Sequence, residues 1–305
     1  MKGRKTAEKI LVPALAGVLI FIVTRLVGMI PLDKLAESAG AALKDFIDSV
    51  PFPDSSTSSL IKALLTGERS SLGREAVQIF RDSGASHILA LSGLHLGFIY
   101  GIVKRISSIL GNSLRVKKAR AALIICFSIF YTLMTGASPS IVRAMFFIII
   151  NEVCSLDAER ERGGIRVLFL ALLLQLAFNP GALHTIGFQL SYLAVAGLYI
   201  VGIPLQRWFP APERFSLMKR IWDSLAISIG CQLFTAPLAW HYFHSFPTHF
   251  LLTNLLALPL TSAIMALAIL TLFLQALGLC PAFLLILCNK TTGLLLEVLE
   301  TIAGM

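Results

Sequence analysis

The chain has 305 residues, of which 56% are hydrophobic and only 14% charged, and its mean hydropathy is +0.80. An ordinary soluble globular domain, about 25% charged, is excluded, and recurring apolar segments of about 20 residues point to a polytopic membrane protein. The formal charge of +9 would suit an anionic partner, but where the basic residues lie says more than their sum. Lys2, Arg4, Lys5 and Lys9 precede the first apolar run, and six more lie between Lys104 and Arg120 with no acid among them. Arg160, Arg162 and Arg166, then Arg207, Arg214, Lys219 and Arg220, fall in the next alternate connections. The connections between these, around Gly136 to Ser140, Asn179 to Thr185 and His241 to His249, hold neither Lys nor Arg. This alternation places the N-terminus in the cytoplasm. Part of the same charge could also meet an anionic polymer there, and sequence does not separate the two roles. Cys126, Cys154, Cys231, Cys280 and Cys288 are scattered and form no CxxC pair, so neither a disulfide framework nor a zinc knuckle is expected.

In chain order, a first span is predicted from Ile10 to about Ile30, with Arg25 near its outer end where it can snorkel to the interface. A basic start before an apolar run also describes a signal peptide, but many spans follow and no small-residue cleavage site adjoins it. The spacing of Leu32, Leu35, Ala39, Leu43, Phe46 and Ile47 predicts an amphipathic helix on the outer membrane face. PFPDSSTSS is a loop by composition, and SSLIKALLTGERSSL and GREAVQIFRDSG are again amphipathic and extracytoplasmic. Further spans are expected near His87 to Val103, Ala121 to Thr135, Ile141 to Cys154, Val167 to Phe178, Ile186 to Ile203, Ile221 to Trp240, Phe250 to Leu279 and Ala282 to Ile302. Phe250 to Leu279 is long and contains Pro259, which predicts either a kinked helix or a short broken helix followed by a full one. The fold class is therefore all-α, with about eight or nine membrane helices, some short or broken. Residues 1–59 form an N-terminal membrane helix and amphipathic extracytoplasmic segment, and residues 60–305 a transmembrane domain.

Polar residues enter these apolar runs at four places. Ser92 and His95 are three apart and share a helix face, with Ser86 and His87 about two turns toward the outer end. In TGASPSIVRAMFF, Gly136 and Pro139 break the helix beside Thr135, Ser138 and Ser140, and Arg143 follows in the next span. A guanidinium there is costly and suits carboxylate or phosphate. His184, Gln189 and Ser191 surround the start of another span; Gln232, Thr235 and Pro237 precede an aromatic, histidine-rich turn, and Asn254 sits inside the span after it. All four places are predicted in the outer half of the membrane, where they could line one cavity open to the outside. The plainer alternative is that each is satisfied privately, by back-bonding hydroxyls and small-residue packing.

LLTGERSSL, FRDSGASHILALSGLHLG, TGASPSIVRAMFF, GFQLSYLAVAGL and QLFTAPLAWHYF followed by LLTNLLALP occur in this order. Together they resemble the membrane competence domain of the ComEC family, over roughly Leu60 to Leu260, which makes residues 60–305 a competence-type channel domain. The resemblance implies passage of single-stranded DNA across a bacterial inner membrane into the cytoplasm during natural transformation. It also implies, as separate partners, a periplasmic DNA receptor, a nuclease and a cytoplasmic ATPase. A polyanion passes a wet channel with few, spaced cations more easily than a densely basic one, which would trap it. On this reading Arg143 contacts phosphate near the entrance. His87, Ser92, His95, Thr135, Ser138, His184, Gln189, Ser191, Gln232 and Asn254 are neutral pore-lining groups, and Tyr242 or Phe243 offers stacking faces. Longer family members carry an OB-type domain before this region and a metallo-β-lactamase-like domain after it. The residues before Leu60 are too few and too helical for the first, and no HxHxDH cluster marks the second. No nuclease activity, cofactor or metal is expected here; a separate protein supplies the nuclease, the chain is an excised core, or a shortened relative has another task.

Three alternatives stand beside the channel. An intramembrane hydrolase would use Ser92 as nucleophile with His95 or His184 as base, although helix neighbours three apart rarely align for catalysis and no oxyanion donors are identifiable. A metal site could draw on His241, His244 and His249, with no carboxylate nearby. A small-solute transporter would use the same broken helices, but no inverted repeat is evident.

Overall fold

A computed structural model describes residues 32–111, 113–156, 164–209, 217–244 and 249–305. The first predicted span lies outside them, as do Lys2, Arg4, Lys5, Lys9, Arg160, Arg162 and Arg214, which bear on the orientation. Every regular element among the described residues is helical. In order these are α1 Leu32–Ser49, α2 Ser55–Thr66, α3 Arg74–Asp82, α4 Ser86–Leu89, α5 Gly93–Ser107, α6 Leu114–Met134, α7 Pro139–Ser155 and α8 Gly164–Phe178. They continue as α9 Ile186–Gly197, a π-helical turn Leu198–Gly202, α10 Ile203–Trp208, α11 Leu217–Phe243, α12 Phe250–Ala276 and α13 Ala282–Ala303. Short 3₁₀ turns occupy Ser108–Leu110 and Pro180–His184.

Four stretches among the described residues are long and apolar enough to cross a membrane: Ile186–Trp208, α11, α12 and α13. The chain is an all-α membrane protein. Of the remaining spans predicted within the described residues, those near Ala121 to Thr135, Ile141 to Cys154 and Val167 to Phe178 are helical too, but shorter or more charged, and His87 to Val103 is divided between α4 and α5. The first turns of α6, for example, carry Arg115, Lys117, Lys118 and Arg120. At Phe250 the structure decides between the two predicted forms, because α12 runs unbroken through Pro259.

Two compact units divide the described chain. One comprises residues 32–41 and Leu96–Thr185; the other comprises Ala42–His95 and Ile186–Met305. In the first, α6 packs on α7, α7 on α8, and α8 on the Pro180–His184 turn. In the second, α9 and the π-helical turn pack on α11, α11 on α12, and α12 on α13, while α2 packs on α12 and α13.

The outer segment departs from its predicted form. PFPDSSTSS is not all loop, because Asp54 caps α2: its carboxylate accepts the Ser56 N–H at 3.0 Å, and the helix starts at Ser55. Helix α2 is not an amphipathic surface helix either. Thr57, Leu60, Ile61, Lys62, Ala63, Leu64, Leu65 and Thr66 are all buried, because α12, α13 and α4 all pack against it. It ends at Gly67, whose φ of +80° favours glycine, so GERSSL leaves the helix. A Cβ on Gly67 would also meet Leu91 at 3.2 Å. In α1 the buried positions are Ala36, Gly40 and Ile47, whereas Leu35, on the predicted apolar stripe, is 58% exposed.

Ion pairs join α1 to α2 and its following loop. Lys62, nearly buried, meets Asp48 at 2.9 Å, and Lys44 meets Glu68 at 2.7 Å. The Lys44 ammonium and the Ser70 hydroxyl hold the Glu68 carboxyl below the usual carboxylate range. The Asp54 cap is directly testable. Asp54→Ala removes the acceptor of an orphan helix N–H, and it should cost about 1 kcal/mol. A denaturation midpoint equal to the parent's would show that the cap contributes nothing.

Candidate functional site

ASHILALSGLH does not form one helix. Helix α4 stops at Leu89, Ala90 is extended with ψ 117°, and α5 starts afresh at Gly93. Ser86 and His87 therefore do not share a helix with Ser92 and His95, as the predicted span required. The physical reason is a reciprocal cap. Ser92 Oγ accepts the Leu94 N–H at 3.2 Å, and His95 Nδ1 accepts the Ser92 N–H at 3.1 Å. This is the capping-box arrangement, with histidine where glutamate or glutamine usually stands. The Ser92 hydroxyl also lies 3.1 Å from Nδ1. With Nδ1 accepting, the proton of a neutral ring sits on Nε2. His95 is 0% exposed, and its Nε2 has no hydrogen-bond partner.

The same neighbourhood collects further polar groups. His87 is exposed, contacts the Gly84 carbonyl through Nδ1 at 3.1 Å, and lies close enough to His95 and to the Asn254 side chain to interact with both. Asn254 Nδ2 donates to Ser228 Oγ at 3.3 Å, while its Oδ1 is buried without a partner. One residue earlier, the buried Thr253 hydroxyl donates to the Ser83 carbonyl at 2.6 Å, tying α12 to the turn before α4. Ser92, His95, His87, Asn254 and Ser228 thus form one uncharged polar cluster within the second unit. Buried N–H and C=O groups left unpaired each cost about 1–3 kcal/mol, and water or a ligand group is the usual remedy. The sequence motifs had singled out four of these residues. Ser228 was missed, its signal being a lone hydroxyl flanked by Ile227 and Ile229.

Elsewhere in this unit, Gln189 is half-buried and Ser191 buried on α9, and Gln232 is half-buried on α11. Thr235 back-bonds to the Cys231 carbonyl at 3.0 Å. Helix α9 and the π-helical turn meet α11 at a glycine crossing, where a Cβ on Gly230 would lie 2.6 Å from Gly202 N and 2.8 Å from Gly197 O.

The first unit holds Thr135, Ser138, Arg143 and His184. TGASPS breaks the chain as predicted: α6 ends at Met134, Gly136 and Ala137 take φ of +78° and +49°, and Pro139 opens α7. Thr135 back-bonds to the Tyr131 carbonyl at 2.8 Å, the plainer of its two readings. Ser138 Oγ is buried without a partner, and Arg143 is half-buried on α7. Gln175, 3% exposed on α8, donates to the Pro139 carbonyl at 3.3 Å. It is the one polar residue of the run Val167 to Phe178, a signal that sequence reasoning passed over. His184 is exposed in its 3₁₀ turn.

A charged cluster in this unit was also unforeseen. Glu152, 2% exposed, accepts from Tyr100 OH and Lys104 Nζ, each at 2.6 Å. Tyr100 OH in turn accepts from Lys104 Nζ at 2.6 Å and from Asn151 Nδ2 at 3.2 Å. Glu152 is the one acid in the apolar run Ile141 to Cys154. It lies nine residues beyond Arg143, about two and a half helical turns, so the two side chains leave opposite sides of α7. Among the described residues no group of three or more His, Cys, Asp or Glu could hold a metal ion; His241 lies in the last turn of α11, His244 follows that helix, and His249 directly precedes α12. All five cysteines are free.

A family model described as "Competence protein" matches residues 64–305. The chain belongs to the competence protein family. It is 29% identical over 215 residues to ComE operon protein 3 of Bacillus subtilis (strain 168), covering 70% of this chain and 26% of that protein. It is 30% identical over 222 residues to the uncharacterized protein YcaI of Escherichia coli (strain K12), covering 70% and 28%. It is 26% identical over 215 residues to Recombination protein 2 of Haemophilus influenzae, covering 67% and 26%. The chain therefore spans only about a quarter of the length of these relatives. No solved structure matches it. Both the uncharged cluster and the Lys104–Glu152 cluster fall within the residues that carry the competence match.

Proposed function

We propose that this competence-family chain is a multi-pass protein of a bacterial inner membrane, with its N-terminus in the cytoplasm. It passes single-stranded DNA into the cytoplasm during natural transformation, as a channel and not as an enzyme. The observation that carries this reading is the uncharged cluster of His87, Ser92, His95, Ser228 and Asn254, with two buried polar atoms unpaired. Inside a membrane protein such atoms ask for water or for a passing polar solute. Neutral donors and acceptors also suit a polyanion that must move on after binding. The match to a competence protein family supports the DNA part of the reading. A periplasmic DNA receptor, a nuclease and a cytoplasmic ATPase would act as separate partners.

The hydrolase reading is less well supported. Ser92 Oγ and His95 Nδ1 both serve to close the first turn of α5, which accounts for their proximity without catalysis. A small-solute transporter would use the same cluster, and a deletion strain separates the two. Loss of transformation while DNA still reaches the periplasm supports DNA passage; unchanged transformation rejects it.

Arg143 supplies the direct test. Arg143→Ala should lower entry of labelled DNA into the cytoplasm at least about tenfold, since a hydrogen bond to a charged group contributes about 1.5–3 kcal/mol. Parent-level uptake, with the variant present in the membrane, would remove Arg143 from the path.

A further inference from the structure

The Lys104–Glu152 cluster lies outside every residue discussed above as lining a path, and it has a feature that a purely structural ion pair does not need. Glu152 is 3% exposed at its side chain, but Lys104 is 35% exposed. One end of the pair is sealed between α5 and α7, and the other is a cation with an open side. Tyr100 completes the arrangement: its hydroxyl donates to Glu152 and accepts from Lys104 and Asn151, and Lys104 Nζ also stands 5.0 Å from the centre of its ring. The carboxylate cannot turn toward another partner, whereas the ammonium can. Lys104 belongs to the basic group that the charge alternation places at the cytoplasmic end.

We infer that Lys104 is a phosphodiester contact near the inner end of the DNA path, and that Glu152 is the positioning residue that keeps this contact weak. The inference rests on the channel reading proposed above. A passing phosphate shares Lys104 with a carboxylate that is always present. The strand is therefore bound at this step and also released from it. A free lysine in the same place would hold the strand by releasing its counterions. Anionic lipid headgroups carry the same phosphodiester chemistry, so the test must separate the two sources.

The full chain is reconstituted in discs of purely zwitterionic lipid and, in parallel, of lipid containing an anionic headgroup. Binding of a fluorescent oligothymidylate is then measured as a function of salt. Glu152→Gln should bind about fivefold more tightly at 0.1 M salt, with a slope of log affinity against log salt steeper by about 0.35, half the value of one full contact to a single strand. The same variant should admit DNA into cells more slowly despite the tighter binding, a pairing that a merely structural role does not produce. Lys104→Gln should make the slope shallower by about the same amount. Unchanged affinity and slope in both variants overturn the inference, as does an effect seen only with anionic lipid. Should Glu152→Gln fail to accumulate, Lys104→Gln decides alone: a parent-like slope rejects the contact. If the parent itself binds no oligothymidylate in either lipid, the channel reading fails, a result distinct from the failure of this pair.

Discussion

A Gly230→Leu variant is expected to accumulate in the membrane at a small fraction of the parent level, and the part that remains should melt well below the parent. Helix α11 reaches α9 and the π-helical turn through backbone, with Gly230 set against the backbone of both Gly197 and Gly202. The first added carbon would stand 2.6 Å from Gly202 N, inside any tolerable separation, and backbone on both sides leaves nothing soft to yield. Overpacking of a well-filled site costs about 1–3 kcal/mol even where side chains can shift, so about 3 kcal/mol or more is expected where they cannot. In a membrane the loss matters more than the area suggests, because close backbone approach replaces the hydrophobic drive between helices. Gly187→Ala is the control: it lies on the same helix α9, and its added carbon would meet nothing within 4 Å. It should behave as the parent. Equal stability of the Gly230→Leu and Gly187→Ala variants would mean that the crossing is not as close as the structure has it.

His95→Gln should leave the protein folded and abundant yet reduce DNA uptake by about tenfold or more. The two ring nitrogens have separate tasks, which this substitution divides. Nδ1 accepts the Ser92 N–H at 3.1 Å, and glutamine at the third position of a helix makes the same reciprocal bond in ordinary capping boxes. Nε2 has no partner, and glutamine has no group at that place. Stability should therefore stay within about 1 kcal/mol of the parent, the typical worth of a cap. His95→Leu removes both tasks, and it should lose the cap's contribution as well as uptake. The decisive comparison measures thermal stability and uptake on both variants. Full uptake by the glutamine variant would reduce His95 to a helix cap and take away the main support for a wet cluster at this site. Loss of uptake in both, with stability lost only in the leucine variant, is the predicted pattern.

The membrane class and the helical content could be read from the chain because both rest on local properties: apolar length, the spacing of charges, and breakers such as Gly136 and Pro139. The capping box at Ser92 is also local, since Ser and His three apart are visible in SGLH. The pair reads as a helix face instead, because histidine is not the usual residue at the third position. Helix α2 went wrong for a different reason. Its polar and apolar residues do alternate in the manner of a surface helix, and its burial comes largely from α12 and α13, more than 180 residues away in sequence.

The pairings were out of reach for the same reason. Nothing in the order of residues says that Asn254 meets Ser228, that Thr253 reaches the Ser83 carbonyl, or that Glu152 takes both Tyr100 and Lys104. A side chain's partner is set by how helices cross, and the crossing is set by packing summed over many contacts. Local composition showed which residues are too polar for their surroundings; only the folded arrangement showed which of them satisfy one another and which, as at His95 Nε2 and Asn254 Oδ1, are left waiting.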